Sequence, residues 1–339
     1  VAQLVSVLCT SHTPFLLNTL ERWELTRTLR AAKDGFAPGI PVESRAEMEA
    51  KEARIAAGRA VLRDVLRAAR PDVLVIFGDD QLEQFRLANF PALSIFTGAA
   101  FSGFRIAPVD GPPAPGDWPA LPHDAPHWQT VRGHPELARA LLVGLTARGF
   151  DMAFSTQLAD PERGMGHAIM RPHTLLETNF AIPTVPVWIN CYYGPQPTAQ
   201  RCYALGRAVR AIIAAYPHDL RVAVIGSGGL WHTPGAGHSI LDEDFDRAIL
   251  AEVVSGDARA MATTFDAYPL AYDPTDARSL KDASGGTGVV NGLGSGTGEI
   301  RNWIAAAATV DGVRGTVVDY IPVYASPVGI AFAYYPISA

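Results

Sequence analysis

Short apolar, β-branched runs alternate with longer amphipathic stretches along this 339-residue chain, and that alternation constrains its fold more than any other feature. Residues 4–9, 73–77, 152–155, 184–190, 221–226, 317–320 and 329–335 read as strands. Several are continuous apolar runs, as a sheet covered on both faces requires. Residues 46–69 set Ile55, Leu62, Val65, Leu66 and Ala69 among Glu, Lys and Arg, which predicts a helix with one buried stripe. Residues 135–148, 199–216, 245–254 and 299–308 predict further helices. No internal repeat or linker divides the chain, so the expectation is one α/β domain over 1–339. Two loop insertions interrupt it: 108–128, dense in Pro, Gly and Asp, and 284–298, with glycine at nearly every second position.

Composition excludes several classes. Hydrophobic residues make up 48% and charged residues 18%, too apolar for a disordered chain and too poor in charge for a coiled coil. Basic residues number 28 against 34 acidic ones, a net charge of −6 without a basic field, so nucleic acid and anionic lipid are not expected partners. Cys9, Cys191 and Cys202 are odd in number and lack a C-x-x-C spacing, which argues against a disulfide framework or a zinc-thiolate site. The longest apolar runs fall short of the roughly 20 residues that span a bilayer. With no basic segment and cleavage site at the start, the expectation is a cytoplasmic protein.

The informative polar residues follow strands, because ligands of α/β sheets bind outside the carboxyl ends of strands. Ser11-His12-Thr13-Pro14 follows the first strand, where His12 suits a metal ligand or a catalytic base, with a turn-capping histidine as the competing reading. Gly78-Asp79-Asp80-Gln81 follows the second with Glu83 close behind; carboxylates buried there would need a metal or an arginine, and otherwise cap a solvated turn. Gly166-His167 and the turn from Gly226 to His232 bring two more histidines, and one in such a turn can shuttle protons. His173 and His238 lack strand-end placement and read as surface or satisfied core. Asp242-Glu243-Asp244-Phe245-Asp246 opens a helix, where acidic residues cap it and complement its dipole, yet a carboxylate ligand could also come from here. His12 with a carboxylate and one further donor would make the arrangement that non-haem iron(II) oxygenases use. Residues 292–296 are glycine-rich but lack Gly-Lys-Ser/Thr, and no Gly-x-Ser-x-Gly elbow is present, so phosphate-loop and serine-hydrolase chemistry have little support.

The order of these motifs resembles the class III extradiol dioxygenases, the family of the protocatechuate 4,5-dioxygenase β subunit. It is carried by Ser11-His12-Thr13-Pro14, Gly78-Asp79-Asp80-Gln81 with Phe85, Gly166-His167 with Pro172, the glycine turn ending in His232, and Glu243-Asp244-Phe245-Asp246. Gly298-Glu299-Ile300 through Trp303 and Tyr324-Ala325-Ser326 extend it over nearly the whole chain. The resemblance implies a mixed central sheet flanked by helices, non-haem Fe(II), O2 and a small catecholic substrate. It also implies a homodimer or a hetero-oligomer with a related subunit. The family's iron ligands, two histidines and a glutamate, map onto His12, Gln81 and Asp244, with Glu243 beside it; only the first is unchanged. His232 matches the family's acid/base and His167 a substrate-contacting histidine. The alternatives are metal-dependent or metal-free hydrolase or lyase chemistry on a phenolic substrate, and a non-catalytic partner subunit, which Gln81 motivates.

Overall fold

The computed structural model describes residues 1–33, 36, 38–106, 127–232, 240–268 and 296–337. Most of the two expected loop insertions, and Thr233, Pro234 and His238, lie outside them. The strands are β1 (Gln3–Thr10), β2 (Val73–Gly78), β3 (Leu93–Phe96), β4 (Ala100–Phe104), β5 (Trp128–Arg132), β6 (Ala153–Ser155), β7 (Thr184–Ile189), β8 (Arg221–Ser227), β9 (Thr316–Val323) and β10 (Val328–Tyr335). The helices are α1 (Leu20–Lys33), α2 (Arg45–Ala69), α3 (Pro135–Thr146), α4 (His167–Leu175), α5 (Ala199–Ala215), α6 (Glu243–Ser255), α7 (Ala258–Ala267) and α8 (Ile300–Ala308). All seven expected strands and five expected helices are present, with ends shifted by at most three residues.

Eight strands form one mixed sheet in the order β6-β3-β7-β2-β8-β1-β10-β9. At its centre β7, β2, β8 and β1 run parallel. The antiparallel pairs are β1 with β10, β10 with β9, and β3 with β7. Burial on both faces explains the unbroken apolar runs: β2 and β7 are buried at every residue. Val7 and Cys9 pack into a core that includes residues of α3, α5, α7 and α8, whereas Leu8 between them joins residues of α2 and α4 on the other face.

Alternation along the strand thus assigns each helix layer its share of the sheet. Helix α2 starts on a full capping box: the Ser44 side chain accepts from the Glu47 N–H, and the Glu47 carboxylate accepts from the Ser44 N–H at 2.7 Å.

Three strands and three helices exceed expectation. Trp128, expected to close a loop, opens β5, which pairs with β4 in a separate two-stranded ribbon. The carboxyl ends of β1, β2 and β8 lie side by side, and that edge collects the functional residues.

Candidate functional site

Two residues beyond β1, His12 is 3% exposed, and its Nδ1 lies 3.0 Å from the Ser227 hydroxyl at the end of β8. Asp79 and Asp80 follow β2 directly and diverge in role. Asp80 accepts backbone N–H bonds from Glu83, Gln84 and Phe85 at 2.9–3.2 Å, which is the capping expected of an Asp-Asp turn. Asp79 is 0% exposed; its Oδ2 accepts from Gln81 at 3.3 Å, and its Oδ1 has no hydrogen-bond partner. Burial, reinforced by the charges of Glu299 and Glu83, pushes the Asp79 carboxyl well above the usual carboxylate range.

The remaining carboxylate is Glu299, at the start of the wholly buried helix α8. That helix is locked over the end of β8, since Asn302 Nδ2 donates to the Ser227 carbonyl at 2.8 Å and Trp303 Nε1 to the Gly228 carbonyl at 2.6 Å. Glu299 Oε2 accepts the Gly229 N–H at 2.7 Å and lies 3.2 Å from His12 Nε2. Its Oε1 accepts the Tyr192 hydroxyl and lies 3.5 Å from His232 Nε2. Gly228, at φ 119°, permits this approach: a Cβ there would stand 2.6 Å from Glu299 Oε2 and 3.1 Å from His12 Cε1. Burial opposes ionisation of Glu299, but the facing imidazoles of His12 and His232 outweigh it and hold the carboxyl well below its usual range.

Each histidine is oriented by one ring nitrogen. His232 Nδ1 lies 2.9 Å from the Leu230 carbonyl, which can only accept, so Nδ1 carries a proton and Nε2 is the nitrogen that faces the site. His167 Nδ1 is likewise 2.8 Å from Glu83 Oε1, which also accepts the His167 backbone N–H at 3.0 Å. Gly166 leaves room for that carboxylate; a Cβ would stand 2.4 Å from Glu83 Oε2. Burial above all lowers His12 to about 4, so its imidazole is neutral near pH 7. Burial also disfavours protonated His232, yet the Glu299 carboxylate overcomes this and raises it above the ordinary histidine value.

Of the residues singled out from sequence, His12, Gln81, His167 and His232 converge. The His12 and His167 ring centroids are 4.6 Å apart, and Gln81 Nε2 is 3.4 Å from His167 Nε2. The acidic helix start does not join them. Glu243 bonds the Tyr324 hydroxyl and, at 2.9 Å, Arg247, while Asp244 is exposed. The expectation of a carboxylate from Asp244 or Glu243 is corrected: the carboxylate beside His12 is Glu299. His173 is satisfied core, held by Thr178 and Thr184 at 2.7 and 3.2 Å. Sequence reasoning also passed over Tyr192. Ligand atoms of His12, Asp79 and His167 lie within 4.8 Å of one another, and the unpartnered Asp79 Oδ1 is 3.9 Å from His12 Nε2. A neutral imidazole, an orphaned carboxylate oxygen and the Glu299 carboxylate form a donor set that fits a divalent cation.

Fold and site together define a mixed α/β protein with a buried histidine–carboxylate centre at the carboxyl ends of its central strands. A family model described as the catalytic LigB subunit of aromatic ring-opening dioxygenase matches residues 41–331, and the chain belongs to that family. The match includes Gln81, His167, His232 and Glu299, while His12 precedes it. A 114-residue stretch is 35% identical to a gallate dioxygenase of Pseudomonas putida, covering 33% of this chain and 31% of that protein. A 2,3-dihydroxyphenylpropionate/2,3-dihydroxicinnamic acid 1,2-dioxygenase of Photorhabdus laumondii is 29% identical over 233 residues, 68% of this chain and 56% of that protein. Its namesake in Cupriavidus pinatubonensis is 28% identical over 274 residues, 73% and 79% of the two chains. The first two of these matches thus span about a third and just over half of the relatives' own lengths. Among the described residues no helix is long and apolar enough to cross a membrane.

Proposed function

We propose that this chain opens the ring of a small catechol-type diol with O2, using a non-haem Fe(II) held by His12 and Glu299 with Asp79 beside them. The observation that carries the reading is the orphaned Oδ1 of Asp79, fully buried and 3.9 Å from His12 Nε2. A buried carboxylate without a partner costs several kcal/mol, on the order that a shared cation would offset. Membership of a ring-opening dioxygenase family supports Fe(II) and an aromatic diol among the metal reactions such donors could serve.

When bound, Fe(II) supplies the redox chemistry that joins O2 to the diol. The protein supplies proton handling and orientation. His232 Nε2, the nitrogen facing the site, takes a phenolic proton in its neutral form and later returns it, while the Leu230 carbonyl holds the ring in place. His167 Nε2, freed by the Glu83 bond to Nδ1, accepts a hydrogen bond from a substrate hydroxyl. Tyr192, whose phenol burial above all keeps protonated, steadies Glu299 as a donor.

The test is oxygen uptake by anaerobically Fe(II)-loaded protein with catechol, gallate and 2,3-dihydroxyphenylpropionate. One O2 consumed per diol, abolished by His12→Ala and by Glu299→Gln, is expected. Iron bound without uptake would turn the reading towards hydrolase or lyase chemistry. Protein that takes up neither iron nor O2 would favour the partner-subunit role that Gln81 suggests.

A further inference from the structure

Gln81 stands where the resemblance expects the second metal-binding histidine, yet its side chain is turned the wrong way for that task. Its Nε2 donates to the Tyr192 hydroxyl at 2.9 Å and to carboxylate oxygens of Glu299 and Asp79, both at 3.3 Å. An amide nitrogen of this kind has no lone pair to offer a metal. Turning the amide over would set its carbonyl oxygen against the ionised Glu299 carboxylate, which can only accept, so the surrounding hydrogen bonds decide the orientation. The same bond to Gln81 engages Oδ2 of Asp79 and leaves Oδ1 without a partner.

We infer that Asp79 is a metal ligand in place of Gln81, so that the centre pairs one imidazole, His12, with the carboxylates of Asp79 and Glu299. The identity of the cation as Fe(II) rests on the function proposed above; the ligand assignment does not.

Two further observations support it. Asp79 directly follows β2 and His12 follows β1, the two strands that flank β8, and Glu299 holds the turn after β8 through the Gly229 N–H, so the three side chains meet at the ends of neighbouring strands. Distances match as well: a ligand atom of Asp79 lies within 4.8 Å of one of His12, and Glu299 Oε2 lies 3.2 Å from His12 Nε2.

A centre with two carboxylates and one imidazole is richer in oxygen than one with two imidazoles, and it favours oxygen-preferring cations accordingly. Mn(II) should therefore compete with Fe(II) here.

The experiment measures metal binding without turnover. Anaerobic Fe(II) affinity is read by competition with a chromophoric chelator, and Mn(II) affinity from loss of the free-ion paramagnetic signal. Asp79→Asn should weaken both by about 10–100-fold or more, and Gln81→Ala, which removes only a hydrogen bond to each carboxylate, should weaken both by less than Asp79→Asn does. A thermal melt separates a ligand from a structural residue. Replacing the carboxyl whose Oδ1 has no partner should leave metal-free Asp79→Asn about as stable as wild type, while abolishing the rise in Tm that Mn(II) confers on wild type. Asp79→His, which restores a ligand, should recover Fe(II) binding and lose the Mn(II) competition. Wild-type affinity in Asp79→Asn, a greater loss in Gln81→Ala than in Asp79→Asn, or no metal bound by wild type would each overturn the assignment. Metal binding that depends on Asp79 without oxygen uptake would instead sink ring cleavage and leave the assignment standing.

Discussion

The Leu230 carbonyl fixes the proton of His232 on Nδ1, and this single bond turns a histidine near the site into one with a basic nitrogen aimed at it. His232→Ala should leave Fe(II) content nearly unchanged, because His12, Asp79 and Glu299 keep their places. Turnover should fall by roughly 10²-fold or more, the usual contribution of a positioned acid/base. Iron analysis beside steady-state rates checks both halves, and a loss of iron matching the loss of rate would recast His232 as a ligand. His12, Gln81, His167 and His232 were legible in the sequence because each follows a strand or a glycine turn, a local signal. Glu299 was not, because the run Asp242–Asp246 offered a denser set of carboxylates in about the right order. What set Glu299 apart was its context: it opens a helix, Ile300–Ala308, that is buried along its whole length, where a carboxylate cannot be hydrated and must have partners. The Asp79-Asp80 pair divides in the structure: Asp80 caps the turn, and Asp79 is buried with Oδ1 unpartnered.

Helix α8 carries Glu299 into the site, and its position depends on α5. A Cβ on Gly206 would lie 2.0 Å from the Ala305 carbonyl oxygen and 2.8 Å from Ala308 Cβ, so the two helices touch where one has no side chain. Gly206→Ala should push α8 away and destabilise the fold by about 1–3 kcal/mol. A lowered urea midpoint together with weakened metal retention is the expected result. A lowered midpoint with normal metal affinity would mean that α8 yields without moving Glu299. Elements with a strong period were legible: α2, α3 and α5 each show one apolar stripe, and the central strands are unbroken apolar runs. The elements passed over have weak or contradictory local signals. Strand β3 is only four residues long, and β4 and β5 form a ribbon with few fully buried positions. Helix α4 contains Pro172, which reads as a breaker, and its complete burial overrides that preference.

At the scale of the molecule, the far side of the His232 turn is held by another buried carboxyl. Asp246 on α6 accepts the Trp231 N–H through Oδ1 and the Tyr320 hydroxyl through Oδ2, both at 2.8 Å, linking a helix, the loop after β8 and the strand β9. Burial pushes it up to about 8, and these two hydrogen bonds offset that only in part. Its unfolded value is the ordinary one near 4, so the native state binds the proton more tightly than the unfolded chain does. The resulting stability is fully present below about pH 4 and is lost as pH rises towards about 8, a contribution on the order of a few kcal/mol. Other buried groups titrate in the same range, so the informative quantity is the difference between wild type and Asp246→Asn. Asparagine keeps an acceptor for Trp231, and its amide can donate to the Tyr320 oxygen without titrating. The variant should therefore gain on wild type steadily from pH 4 to pH 8 in chemical denaturation. Parallel stability curves across that interval would mean that Asp246 is ionised in the fold at every pH, with its charge carried by Trp231, Tyr320 and the neighbouring His232.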